Sequence, residues 1–418
     1  MRVTRLGGAI LALTTVLGCG APAAVAPVEV LSADASGDCA PGNVQLTTSV
    51  PSALAQLQAT QAWKHATGVG VLVAVVDSGI DAGNPHLKGV VVGGINLVGD
   101  TSSANGESDS DGHGTAIAGE IAARKISGSG VVGLAPDAHL LSVRVFRNTD
   151  TQTVKAGFGP NASRLAAGIR WAAAHHAQVI NVSLSDYTQD AGLSSAVAYA
   201  TAHGSLVVAS AGNRATTPDK KNGERYPAGD VGVLGVAATN TRGVVTNDSI
   251  HGPQVALAAP GSDILTTATG AGDCLYSADA PASSYSTAYV SAAAALVAQA
   301  YPKESPAQWA YRLEATASRA NVDQRDDDAG WGVVQPADAI TLVPSSTTRG
   351  PASPFGAITG NAVAPARISV HPDNGVSPLQ ATVQALLIAA IAAATLLGAL
   401  GVMIVLRRRR RASQADAL

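Results

Sequence analysis

The chain has 418 residues, a formal net charge of −3, 46% hydrophobic residues and only 4% aromatic ones. The near balance of charge excludes the basic footprint that nucleic-acid binding needs, so no nucleic-acid partner is expected. The length suffices for one large domain with appendages at both ends.

At the start, Met1-Arg2-Val3-Thr4-Arg5 precedes an apolar run from Leu6 to Leu17 and then small residues. These are the charged and apolar regions of a signal peptide over 1–26. Cleavage near Ala23 or Ala26, at an Ala-x-Ala-like site, and cleavage at the lipoprotein-type box Val16-Leu17-Gly18-Cys19 are the two alternatives. A polar Ser/Pro/Ala-rich extension occupies 27–60, as a cleaved propeptide or a permanent part, and Leu54 to Trp63 reads as a short helix leading into the core. From 61 to 343, apolar strand-like runs alternate with Ala-rich helical runs. The expected strands are Val71–Val76, Leu140–Phe146, Val179–Leu184, Leu206–Ala209, Val233–Ala237 and Val255–Ala258. The expected helices are Gly114–Ala123, Arg164–His175, Leu193–Ala202, Ser284–Tyr301 and Pro306–Ala317, the last with Ser305 as N-cap and Pro306 in its first turn. Strands apolar on both faces and separated by helices predict an α/β domain, a mainly parallel central sheet flanked by helices. No internal repeat is present.

A Pro/Ser/Thr/Ala-rich linker follows over 344–381. The uncharged stretch 382–406 is long enough to span a bilayer, and Arg407 to Arg411 open a basic tail over 407–418. Five arginines on one side make that side cytoplasmic and place the body of the protein outside the cytoplasm, tethered to the cell membrane by a single pass. The same arginines suit contact with anionic lipid. Of the three cysteines, Cys19 falls in or beside the leader. Cys39 and Cys274 remain, as a disulfide between the extension and a loop or as two free thiols; export favours the disulfide. No Cys-x-x-Cys or His-x-x-x-His spacing occurs, so no metal site is expected. Asp326-Asp327-Asp328 reads as a solvated turn, His175-His176 as the end of a helix, and His86 as a loop marker.

Three positions carry chemistry. Asp77 ends the apolar run Val71–Val76; His113 lies in Asp111-Gly112-His113-Gly114-Thr115; Ser284 opens a long Ala-rich helix. A serine hydroxyl needs a base to take its proton, and imidazole needs a carboxylate to fix its tautomer and stabilise its cation. Asn213, in Ser210-Ala211-Gly212-Asn213 after a strand, offers a side-chain amide for an oxyanion, with the Ser284 N–H as its partner. No metal or organic cofactor is required.

These motifs, in the order Asp…His…Ser, resemble those of the subtilisin-like serine peptidases. Val75-Val76-Asp77-Ser78-Gly79-Ile80, Asp111-Gly112-His113-Gly114-Thr115, Gly133-Leu134-Ala135-Pro136, Val179–Leu184, Ala258-Ala259-Pro260-Gly261 and Gly330-Trp331-Gly332 carry the likeness over about 68–340. The resemblance implies a subtilisin-like three-layer fold and a serine endopeptidase acting on protein or peptide substrates. It further implies that Ser183, Leu184 and Ser185 line the peptide groove by strand addition. Glycine is common in the family where Ser185 stands, which implies a narrower first pocket. Within the family, the leader, extension, linker, C-terminal helix and basic tail are most similar to the mycosins. That likeness implies association with a type VII secretion membrane complex. The serine motif departs from the family pattern: Ala282 and Ser283 replace Gly-Thr, Ala288 replaces a proline, and Ala292 replaces a glycine. The Ala282 side chain is expected to crowd substrate, or to strain the turn if that position needs a positive φ. The departures support an alternative, an inactive or weakly active scaffold subunit of a secretion complex.

Overall fold

The computed structural model describes Cys39 and residues 45–278, 280–356 and 378–415, with side chains of the final helix described over 382–407. The expected signal peptide lies outside the described residues. In chain order the elements are α1 (Ser52–Gln56), α2 (Ala59–Ala62), β1 (Leu72–Asp77), β2 (Val91–Asn96), α3 (His113–Ala122), β3 (His139–Arg144), α4 (Thr151–Lys155), α5 (Ala162–Ala174), β4 (Val179–Val182), α6 (Ala191–Ala202), β5 (Leu206–Ser210), β6 (Val233–Thr239), β7 (Leu257–Pro260), β8 (Ile264–Thr267), β9 (Asp273–Tyr276), α7 (Ser283–Ala300), α8 (Pro306–Thr316), α9 (Pro336–Thr341) and α10 (Pro378–Ala415).

The seven-stranded sheet runs β2-β3-β1-β4-β5-β6-β7, and every neighbouring pair is parallel. Alternate residues of β1, β3, β4 and β5 feed two separate cores. Val73, Val75, Leu140, Val179, Val208 and Val236 pack with α3 and α7 on one face. Ala74, Val76, Val143, Ile180 and Val207 pack with α5 and α6 on the other. This is the three-layer arrangement expected of strands buried on both faces. The chain leaves β1 for β2 and β3 on one side, then returns across β1 to β4 on the other. The reversal opens a crevice outside the carboxyl ends of β1 and β4. Local signals set the helices: Asn161 caps α5, Asp190 caps α6, and Ser305 with Gln308 forms a reciprocal capping box on α8.

Some elements depart from the expectations. β2 was hidden by its glycines: a side-chain carbon on Gly94 would stand 2.3 Å from the carbonyl oxygens of both Asn105 and Ser142, so only glycine fits. β7 starts two residues later than expected, and β4 stops at Val182, which frees Ser183 to Ser185 from the ladder. The expected helix Leu54–Trp63 is broken in two by Gln58, which takes a left-handed φ of 50°. The antiparallel hairpin β8–β9 was not foreseen.

A disulfide joins Cys39 to Cys274 on β9, so the extension is bonded to the domain. Beside it, the Asp273 carboxylate accepts the Thr47 N–H at 3.0 Å and the Ser129 hydroxyl at 2.7 Å. His86 lies in the turn between β1 and β2, as expected, and is fully buried there: Nε2 is 3.0 Å from Asp273 and Nδ1 is 2.6 Å from the Arg124 carbonyl. At the other end of the domain, residues 344–356 lie against it: Arg349 pairs with Asp323, and Phe355 packs edge-on against Tyr311.

α10 belongs to a second compact unit, 359–418. Among the described residues, its segment Thr382–Arg407 is long and apolar enough to cross a membrane, with 26 residues and mean hydropathy 2.5. At about 1.5 Å per residue it exceeds the ~30 Å bilayer core.

Candidate active site

Asp77 is the last residue of β1 and is fully buried. His113 is the first residue of α3, and its Nδ1 lies 2.8 Å from Asp77 Oδ1. The same oxygen accepts the Ser78 N–H at 2.8 Å. With Nδ1–H donated to the carboxylate, Nε2 is left as the basic nitrogen. Both flanking glycines have steric reasons. Gly112 sits at φ +94°, and a side-chain carbon on Gly114 would stand 2.1 Å from the Gly79 carbonyl oxygen.

The turn that presents His113 is held by two residues that the sequence did not single out. Asp109 accepts the backbone N–H of Asp111, Gly112 and Thr115 at 3.1, 2.9 and 2.9 Å, and the Thr115 hydroxyl at 2.7 Å. Ser78 Oγ accepts the Gly114 N–H at 2.9 Å. An acid a few residues before a helix start is a capping signal, and it could have flagged Asp109. Burial opposes charge on His113, but the touching Asp77 carboxylate, aided by Asp111 and Asp109, raises it to about 9. Burial pushes Asp111 up to about 6 and also raises Asp109.

Ser284 is the second residue of α7, a helix buried on nearly all sides. Alanines make this possible, since a helix with small side chains can lie directly beneath the sheet. Three of its buried hydroxyls are bonded: Ser286 donates to Ala259 O at 2.9 Å, Thr287 to Ser283 O at 2.7 Å, and Ser291 to Asn181 Oδ1 at 2.9 Å. No side chain on α7 itself caps its N-terminus. Asn213 does so from across the site, its Oδ1 accepting the Ser283 N–H at 2.7 Å and the Ser283 hydroxyl at 2.9 Å. Because a backbone N–H only donates, this contact fixes the amide orientation and leaves Nδ2 as the free donor. Ser210 Oγ meets Ser283 Oγ at 2.6 Å. Ser183 donates to the Ser284 carbonyl at 2.8 Å. Ala282 is extended, with φ −123° and ψ 124°, so the turn carries none of the strain anticipated for alanine there.

A cleft of about 570 Å³ joins these parts; His113, Ser284, Asn213, Ser183, Leu184 and Ser185 all line it. The Ala282 side and Tyr285 line it too, and the Tyr285 ring lies 5.6 Å from the His113 ring. Ser183, expected at the peptide groove, turns its side chain inward onto the Ser284 turn, whereas Ser185 is exposed to the cleft. Among the described residues no hydrogen bond links the Ser284 hydroxyl to His113. Such bonds commonly tighten only when substrate binds.

Elsewhere, Asp327 pairs with Arg325 at 2.8 Å and Asp328 with His251 at 2.7 Å, while Asp326 accepts two N–H groups of its own turn. His175 ends α5, its Nδ1 2.8 Å from the Trp171 carbonyl. Among the described residues no group of three His, Cys, Asp or Glu could hold a metal ion.

The subtilase (peptidase S8) family model matches residues 68–332. Fervidolysin of Fervidobacterium pennivorans is 35% identical over 310 residues, covering 69% of this chain but 43% of its own length. Thermitase of Thermoactinomyces vulgaris is 39% identical over 213 residues, covering 51% of this chain and 70% of its own. Among solved structures, MycP1 from Mycobacterium smegmatis superposes with a TM-score of 0.63 at 32% identity, covering 75% of this chain and 91% of that one. A chain of an intact ESX-5 inner membrane complex matches with a TM-score of 0.62 at 26% identity, covering 86% of this chain and 94% of that one.

Proposed function

Because the chain belongs to the subtilase family, we propose that it is a membrane-anchored serine endopeptidase whose triad is Asp77, His113 and Ser284. The observation that carries this reading is the 2.8 Å contact between Asp77 and His113 Nδ1, opening on the cleft that Ser284 also lines. His113 Nε2 takes the Ser284 proton as Oγ attacks the substrate carbonyl. Asp77 holds the tautomer and stabilises the imidazolium. Asn213 Nδ2 and the Ser284 N–H receive the oxyanion at the positive end of α7. His113 then gives its proton to the leaving amine, and water releases the acyl group by the reverse path.

In the same reading, residues 1–26 are a leader, 61–343 the peptidase domain, 382–406 the membrane span and 407–418 a cytoplasmic tail, with the domain outside the cytoplasm. Partnership with a type VII secretion membrane complex is supported by the likeness to MycP1 and MycP3, proteases of such systems, and to the ESX-5 assembly. A second reading, a scaffold with a silent site, draws on the unbonded Ser284–His113 pair and on the Ala282 side chain in the cleft. Full-length protein in detergent, treated with a fluorophosphonate, separates the two. Labelling that disappears in Ser284→Ala supports the peptidase. A folded chain that takes no label supports the scaffold.

A further inference from the structure

His86 and Asp273 lie outside the cleft and take no part in the chemistry above. Both side chains are shut off from solvent, at 0% and 1% exposure. The turn that carries His86 is pinned: its N–H donates to Asn84 Oδ1 at 2.9 Å, and Asn84 Nδ2 donates to the carbonyls of Ala268 and Gly272 at 2.8 and 3.1 Å. The ring therefore presents its nitrogens to fixed partners. Nδ1 is 2.6 Å from the Arg124 carbonyl oxygen, which can only accept, so Nδ1 carries a proton. Nε2 is 3.0 Å from Asp273 Oδ1. In a neutral ring Nε2 would be a bare lone pair facing a carboxylate lone pair, and neither atom has another hydrogen-bond partner among the described residues. Two buried acceptors in contact repel, and each is left unsatisfied. Moving the ring proton to Nε2 only transfers the conflict to the Arg124 carbonyl. The contact closes when one further proton is bound between ring and carboxylate.

The same carboxylate fastens the extension. Asp273 Oδ2 accepts the Thr47 N–H at 3.0 Å and the Ser129 hydroxyl at 2.7 Å, and the Asp273 N–H donates to the Gln45 carbonyl at 2.6 Å. The Thr47 carbonyl in turn accepts the Gly130 N–H at 2.7 Å. Among the described residues no other ionisable side chain is bonded to the pair. Residues 45–50 and 129–133 contain none, Arg124 meets the ring through its carbonyl, and Lys88 is exposed. Asp81, on the His86 turn, is bonded to the N–H groups of Gly83 and Gly270. We propose that His86 and Asp273 form a proton-dependent clasp, which holds Gln45 to Val50 of the extension on the domain when closed and releases them as pH rises. The closed clasp binds a proton that the open one gives up, so low pH closes it and its contribution fades as pH rises. Cys39 stays bonded to Cys274 throughout, so release is local and reversible.

The test is hydrogen exchange at Thr47, read by mass spectrometry on full-length protein in detergent at about pH 6 and about pH 9, on either side of the working range of imidazole. Each rate is taken relative to that of the unfolded chain at the same pH. Asp273→Asn removes the need for a bound proton: its amide N–H donates to Nε2 of a neutral ring, and its oxygen keeps Thr47 and Ser129. His86→Gln, whose amide N–H meets the carboxylate without titrating, serves as a second variant should the first not fold. The wild type is expected to lose protection at Thr47 by at least about tenfold between the two pH values, and a folded variant to change by less than about twofold. Unchanged protection in the wild type overturns the proposal, as does a loss of the same size in either folded variant.

Discussion

The two helix starts that meet in the cleft are held in opposite ways. The His113 turn is held mainly by near neighbours: Asp109 lies four residues before His113 and Thr115 two after it. The Ser284 turn is held from far along the chain, by Asn213, Ser210 and Ser183, some 70 to 101 residues away. A locally closed turn must carry its wiring in contiguous sequence, whereas a remotely held turn can change its local sequence while its supports stay in place. The departures at Ala282 and Ala288 fall in the second turn. Ala282 rests in ordinary extended geometry, and Ala288 is fully buried within an unbroken helix.

The largest expected effects break both turns together. Ser284→Ala, His113→Ala and their double variant are each expected to lower kcat by about 10⁴-fold or more, without additivity, as measured on a peptide substrate. Additive losses would mean that the two side chains do not act as one unit.

Asn213 separates the two duties of the remote turn. Asn213→Ala is expected to lose about 100- to 1000-fold in kcat and about 1 kcal/mol of stability, because one side chain serves both oxyanion and helix cap. Asn213→Asp keeps the acceptor for the Ser283 N–H but lacks the donor. Thermal unfolding is therefore expected to recover while turnover stays low. Recovery of both, or of neither, would contradict the division.

The local turn responds to Asp109→Ala, which removes four hydrogen bonds at once. Denaturant titration is expected to show a loss of about 2–4 kcal/mol. An unchanged midpoint would mean that Thr115 and Ser78 hold the turn unaided.

The smallest effect is electrostatic. His113 is raised to about 9, so kcat/KM is expected to climb with pH as the imidazolium loses its proton, levelling above that value. For stability the sign is opposite. The raised imidazolium favours the fold below its ordinary value, near 6.5, and that contribution is lost as pH rises through about 9. Asp111→Asn removes a negative neighbour and is expected to move the rate profile to lower pH; a shift upward would contradict the charge assignment.

The same contrast explains what could be read from the sequence. Asp77, His113, Ser284 and Asn213 each sit in a short motif, and the apolar runs of β1, β4, β5 and β6 announce a sheet buried on both sides. Features set by distant atoms stayed hidden. β2 is absent from the expected strands because its glycines interrupt the apolar run, and the carbonyls of Asn105 and Ser142 that exclude a side chain from Gly94 are not its neighbours in sequence. The burial of His86 in its turn is hidden because Asp273 lies 187 positions further on. Nor does a helical pattern reveal that Glu120, seven residues after His113, is buried with neither carboxyl oxygen bonded among the described residues, so that burial raises it well above the ordinary range.

The central claim concerns one geometry, and an adduct reads it directly: the structure of the full-length protein after reaction with a peptidyl phosphonate. The account predicts phosphorus bonded to Ser284 Oγ, His113 Nε2 within about 3.2 Å of the adduct, and a phosphonyl oxygen on Asn213 Nδ2. An adduct on another residue, or one whose oxygen faces away from Asn213 with the His113 ring turned aside, would contradict it.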